Sequence, residues 1–325
     1  MQESPFMEYL KKIGCSENSI KYSIKVISEF ECYLKKEHLD FESLNQSEIE
    51  RYLDYLIDRN EDDLDRLIAL ARYGRHHHQM ALLTAMLALL DGGEVMGNFH
   101  KALKEHLGDG ITNMIFEGIE LPSWGTDNRK KARMMQIVME RLKNNVDKEK
   151  WQPILLQCLR DLPDAMYSKQ VQLFHQCKDV EEYLDKRKEH FLDEMRRLNQ
   201  SGQLYFGQPI TYSVLQFLEN NDLISRGIIK EGKLHIVKIP YMTDDWLHAQ
   251  SEEEKRYLYC HCPWARESIQ SNSGIKMVSP EFCACSAGFV KKPFELIYKQ
   301  KIEVDILQTI LNGDDVCEFA IHLPK

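Results

Sequence analysis

The feature that most constrains this chain is a change of apolar period near residue 200. Before it, apolar residues recur every three or four positions, as one face of a helix requires; after it, short stretches alternate apolar with polar, as half-buried strands require. Residues 6–13 form a first helical segment closed by Gly14. Ser19 is placed to cap a second, with Ile20, Ile24, Ile27, Phe30 and Leu34 on one face, and Asn45 or Ser47 a third that carries Ile49, Leu53, Leu56 and Ile57. Residues 64–73, 80–90, 95–107, 129–144, 151–159 and 180–198 continue the helical pattern, punctuated by Asp91-Gly92-Gly93, Gly108-Asp109-Gly110 and Pro122-Ser123-Trp124-Gly125. Beyond residue 200, the spacing predicts a short helix over 210–218 and a hairpin over 228–237 that turns at Glu231-Gly232. A second strand pair follows, with Ile302, Val304 and Ile306 alternating, Asn312-Gly313 turning, and 316–323 alternating again. The expected fold class is α+β, with a mainly helical N-terminal two-thirds and a mixed α+β C-terminal domain. The expected divisions are a small helical domain over 1–60, a helical bundle over 61–200 and a Cys-rich α+β domain over 201–325.

The 325 residues include 43% hydrophobic ones, enough for a sizeable core, and 42 Lys+Arg against 51 Asp+Glu, a formal charge of −9. That balance opposes a large nucleic-acid footprint. The longest apolar run, 80–90, is broken by Thr84 and falls short of the roughly 18 residues that span a bilayer. Met1-Gln2-Glu3-Ser4-Pro5 lacks the basic flank of a signal peptide. A cytoplasmic protein with no membrane partner is the expectation.

The run Ser19-Ile20, Tyr22, Ile24, Phe30, Tyr33-Leu34, then Leu44, Ile49 and Tyr52-Leu53 resembles the helical core-binding domain of phage-integrase-type tyrosine recombinases. The resemblance covers about the first 60 residues and implies a DNA-binding role, an integrase relic. Those residues hold 8 basic and 12 acidic side chains, a poor surface for phosphates. The recombinase chemistry needs a His-x-x-Arg pair, and none of the 12 histidines has an Arg three residues later. Strand exchange is therefore not carried over. The helices over 180–198 and 210–218 with the 228–237 hairpin could also imitate a winged helix.

The cysteines carry the strongest chemical signal. Cys260-His261-Cys262 and Cys283-Ala284-Cys285 are two Cys-x-Cys pairs separated by 20 residues. In extended backbone, residues i and i+2 point to one side, so the four sulfurs of Cys260, Cys262, Cys283 and Cys285 can meet at one zinc ion or, as a poorer match, one iron–sulfur cluster. The intervening residues 263–279 then become a loop closed by the ion, with Trp264 over the site. The alternative is an enzyme in which Cys283 or Cys285 is a nucleophile, His261 its base, and Lys291 and Lys292 favour the thiolate beside a helix that begins at Pro293. The third reading is that the cysteines are buried small hydrophobes.

The tail, from Val304 to Leu311 and Gly313 to Ile321, resembles the closing hairpin of four-vinyl-reductase-type ligand-binding domains and the thiazoline-carboxylate hydrolase-like proteins. The stretch from Lys238-Ile239-Pro240-Tyr241 to the end is similar to a Cys-rich bacterial family of that kind. The resemblance implies a sensor-like protein with zinc beside a small-molecule pocket. Cys317 matches that motif, whereas Thr309 stands where the sensors carry Cys and their Glu is missing. Arg75-His76-His77-His78 is not a metal site, because consecutive helical residues diverge by about 100°. The basic runs at 129–133 and 186–188 read as solvated helix faces. No Gly-rich phosphate loop, Gly-x-Ser-x-Gly elbow or His-Glu-x-x-His is present.

Overall fold

The computed structural model describes residues 5–324. Its internal contacts divide the chain into two units, one of residues up to 93 together with 121–127, the other of residues 94–120 and 128 onward. The fold class is α+β. Helices fill both units, and among the described residues every strand lies in the second.

The first unit holds α1 (Pro5–Lys12), α2 (Glu17–Lys36), α3 (Gln46–Asp58), α4 (Leu64–His76) and α5 (Met80–Leu90). Gly14, at φ 79°, ends α1 and leaves Ser16 extended, so Ser16 rather than Ser19 caps α2, accepting the Ser19 N–H at 3.3 Å. Asn45 and Glu48 form a reciprocal capping box at the start of α3. Ile20, Ile27, Phe30, Tyr52, Leu56, Leu67, Leu70, Leu82 and Met86 are buried together. Because α4 packs on both α2 and α5, the bundle does not divide at residue 60. His76 ends α4, stacks on Tyr9 at 5.0 Å and meets His77 edge-on at 4.7 Å, while His78 follows at φ 57°.

Asp62 ties the 121–127 segment to this unit. Its carboxylate, in a side chain only 4% exposed, accepts from Ser123 Oγ at 2.5 Å and Gly125 N–H at 2.9 Å. Removing a buried acceptor from two such bonds costs roughly 2–3 kcal/mol. Asp62→Ala is therefore expected to make residues 121–127 cleavable by protease under conditions where the wild type resists. Equal cleavage rates would remove this tie from the account.

The second unit begins with α6 (Val95–Ile115), interrupted at Gly108 (φ 83°, ψ 166°), then α7 (Asn128–Asn145), α8 (Lys148–Leu155), α9 (Ser168–His175) and α10 (Val180–Ser201). Residues 80–115 include one stretch apolar enough, by length and composition, to cross a membrane, longer than the 80–90 run read from the sequence. The chain turns at 91–94 within that stretch, and Leu82, Met86, Phe99 and Leu103 are all buried. A two-residue ladder of β1 (Leu204–Tyr205) and β2 (Gln208–Pro209) precedes α11 (Tyr212–Glu219) and α12 (Asp222–Ser225). β3 (Ile228–Lys230), β4 (Lys233–Val237), α13 (Thr243–His248), α14 (Glu252–Tyr259), α15 (Ala284–Tyr298), β5 (Val304–Gln308) and β6 (Glu318–His322) complete the unit.

The four-stranded sheet is antiparallel in the order β3-β4-β6-β5, with Leu234 opposite Ile321 and Ile306 opposite Phe319. Glu231 and Gly232, both at positive φ, form the tight turn expected of the β3–β4 hairpin. With β6 on the far side of β4, that hairpin is part of a sheet and not a free wing. Tyr183 of α10, Leu234 of β4, Phe294 and Ile297 of α15 and Ile321 of β6 share one apolar cluster, so α10 belongs with the sheet and no boundary falls at 200. A larger cluster joins Phe99, Met135, Trp151, Tyr259, Trp264, Phe282 and Ile310. The cysteines border it.

Candidate functional site

Five segments meet at the thiols, and local rules explain how each arrives. α14 is capped by Ser251, which accepts the Glu254 N–H, and by Cys260 at its other end, with Pro263 soon after to hold Cys262 extended. Tyr259 then pins two strands of the site together: its hydroxyl donates to Lys238 O at 2.5 Å and accepts from Cys317 N–H at 3.2 Å. Pro280 opens a short 3-10 turn through Cys283, and α15 follows at once from Ala284. Pro293 lies inside that helix instead of starting it, at the cost of one helical hydrogen bond.

This early helix start changes the geometry expected for Cys283 and Cys285. On a helix, positions i and i+2 diverge by about 200°, so the two sulfurs face different neighbours. Cys283 packs against the apolar cluster that also takes in Cys260, Cys262 and Cys317, and it accepts from the Thr309 hydroxyl. Burial, followed by those three thiols, pushes its pKa well above the ordinary value. Burial likewise raises Cys260, despite the Cys262 N–H it accepts, and pushes Cys317 up to about 11. These are neutral thiols. Cys285 looks the other way and donates to Cys158, a residue that sequence reading left aside. Cys285 Sγ also accepts the Leu159 N–H at 3.3 Å.

Cys158 stands in the turn after α8, in the left-handed region at φ 66°. Its pKa is drawn down to about 7, chiefly by the hydrogen bond from Cys285, against burial, with help from the Arg160 N–H and the charges of Arg160 and Lys238. Gly288 makes this approach possible. A Cβ there would lie 2.6 Å from Leu156 O and 2.7 Å from Cys158 N. None of the nine cysteines is disulfide-bonded.

The positive charges around the thiols come from residues the sequence did not single out. Lys238 Nζ donates to Ser286 Oγ at 2.9 Å and bears on Cys158, Cys260 and Cys317. Arg266 lies over the Tyr241 ring at 4.5 Å and the Tyr257 ring at 5.3 Å. Lys291 and Lys292 are engaged elsewhere, with Glu295 and Asp164. His261 is held by its Nε2, 2.6 Å from Ile239 O, and burial pushes its pKa down to about 3. A ring of that basicity does not take a proton from thiols this weakly acidic. It is a strut between two segments.

Residues 243–325 match the model of a family of unknown function (DUF6144). That segment holds α13, α14, α15, β5 and β6, and every cysteine of the site except Cys158. No curated protein and no solved structure matches the chain. Nothing matched carries the likeness to recombinases or to four-vinyl-reductase-type domains. Among the described residues, no three His, Cys, Asp or Glu side chains are arranged to hold a metal ion.

Proposed function

We propose that the second unit is a thiol-centred binding protein, sensor-like in taking up a soft and exchangeable ligand. Cys260, Cys262, Cys283 and Cys317 supply the donors, with Cys317 in the position that sequence spacing had reserved for Cys285. A zinc ion is the simplest ligand of matching chemistry. The observation that carries this reading is that Cys260, Cys262, Cys283 and Cys317 all pack into or against one apolar cluster, where the other three thiols bear on Cys283 and help keep it neutral. Among the described residues the donors are not drawn around one point, so binding has to pull the sulfurs together and deprotonate them. A four-thiolate zinc centre carries a net charge of about −2. Lys238 and Arg266, which both bear on Cys260, offset it. The reading requires a reducing compartment such as the cytosol, where thiols persist.

Cobalt(II) tests it, because thiolate–cobalt bonds absorb in the near ultraviolet. The reduced chain is expected to bind about one ion per molecule with release of protons, and Cys283→Ser to weaken binding at least tenfold and expose residues 263–279 to protease. No thiolate absorption in excess cobalt, with all four thiols still open to alkylation, would sink the proposal.

A further inference from the structure

We propose that Cys158 and Cys285 are a reversible redox couple, a dithiol that a low-molecular-weight disulfide oxidises to an intramolecular disulfide between the turn after α8 and the first turn of α15. The sulfurs are not those of the four-thiol group, so the inference stands whether or not that group binds anything.

Three geometric facts carry it. The Leu159 N–H donates to Cys285 Sγ at 3.3 Å, which places that sulfur against the backbone next to Cys158. Gly288, one turn further along α15, lets the helix close on the 156–158 backbone to a distance that no other residue type permits. Cys158 is held at φ 66°, where a β-carbon is seldom found. A turn that glycine would fill without strain instead carries a cysteine aimed at a second cysteine. Both residues are only partly buried, unlike Cys260.

The exchange opens with Cys158, which attacks first as its thiolate. Its sulfur bonds to one sulfur of R–S–S–R; the R–S–S–R bond breaks, and R–S⁻ leaves and takes up the proton that Cys158 gave up. Cys285 then loses its proton and attacks the Cys158 sulfur. The mixed disulfide breaks, and the second R–S⁻ leaves with that proton. Two electrons pass from the protein dithiol to the small disulfide, yielding two R–SH and one protein disulfide. The sulfurs must close to about 2.05 Å to form the bond.

The experiment uses the full chain, reduced and then equilibrated anaerobically with mixtures of reduced and oxidised glutathione. Remaining thiols are alkylated, the protein is digested without reductant, and disulfide-linked peptides are mapped by mass spectrometry. A peptide joining Cys158 to Cys285 is expected before any other cysteine pair, and dithiothreitol is expected to remove it. In Cys285→Ser the mixed disulfide is trapped, so glutathione accumulates on Cys158 at least tenfold faster than on the other cysteines. A different pair linking first, or no Cys158–Cys285 peptide in fully oxidised glutathione, overturns the proposal. Should the variant fail to fold, the wild-type map alone decides. Cobalt binding by Cys158→Ser reports separately on the four-thiol group.

Discussion

Trp264→Ala is expected to lower the stability of the second unit by about 3–5 kcal/mol, the cost of emptying a fully buried indole site. Trp264 is 0% exposed and sits in the cluster that holds Tyr259, Ile269, Val278 and Phe282. Those neighbours come from the end of α14, the turn and 3-10 helix through Ile269, and the segment before α15, none of which is held by a sheet ladder. Relaxation to refill the cavity would move Cys260 and Cys283, both attached to these segments. For a unit of this size, the loss corresponds to a fall in melting temperature of roughly 6–20 °C. Denaturant unfolding followed by circular dichroism measures it, and alkylation kinetics report whether Cys260 becomes accessible. A stability within 1 kcal/mol of wild type would mean that the cluster is not what holds the thiol segments in place.

What could be read from the sequence was what local periodicity determines. α5 spans the expected 80–90, and α7 and α10 lie within three residues of the expected bounds, because an apolar face at helical spacing needs no knowledge of its partner. The hairpin turn at Glu231-Gly232 was equally local. The two Cys-x-Cys pairs were not. Their spacing is compatible with extended or helical backbone, and only tertiary packing of Ala284, Ala287 and Gly288 makes the second pair helical. Small residues at that i, i+3, i+4 spacing were the available signal that a helix face approaches another backbone closely. Cys158 had no local signal at all, since it is far from Cys285 in the chain and the docking of α15 alone joins them. The surroundings of His261 were equally non-local: its burial and the Ile239 carbonyl are both supplied by the fold.

Gly288→Ala separates these two kinds of information by the sign of its effect. In a helix interior, glycine to alanine ordinarily stabilises by up to about 1 kcal/mol, and helix propensity alone predicts that gain here. Against it, the added Cβ would sit 2.6 Å from Leu156 O, 2.7 Å from Cys158 N and 2.9 Å from Leu156 C, where ordinary contact begins at 3.4 Å. All three atoms are backbone, so no side-chain rotation relieves the overlap, and α15 or the 156–158 turn has to move by most of an ångström. Overpacking of this kind costs roughly 1–3 kcal/mol, which outweighs the propensity gain. Gly97 of α6 is the matched control: it is exposed, and a Cβ there meets nothing within 4 Å. Gly97→Ala is expected to raise stability by a few tenths to about 1 kcal/mol, while Gly288→Ala lowers it and slows formation of the Cys158–Cys285 disulfide at least tenfold. If both alanines stabilise, α15 does not approach the Cys158 turn as closely as its geometry states, and the redox couple loses its structural basis.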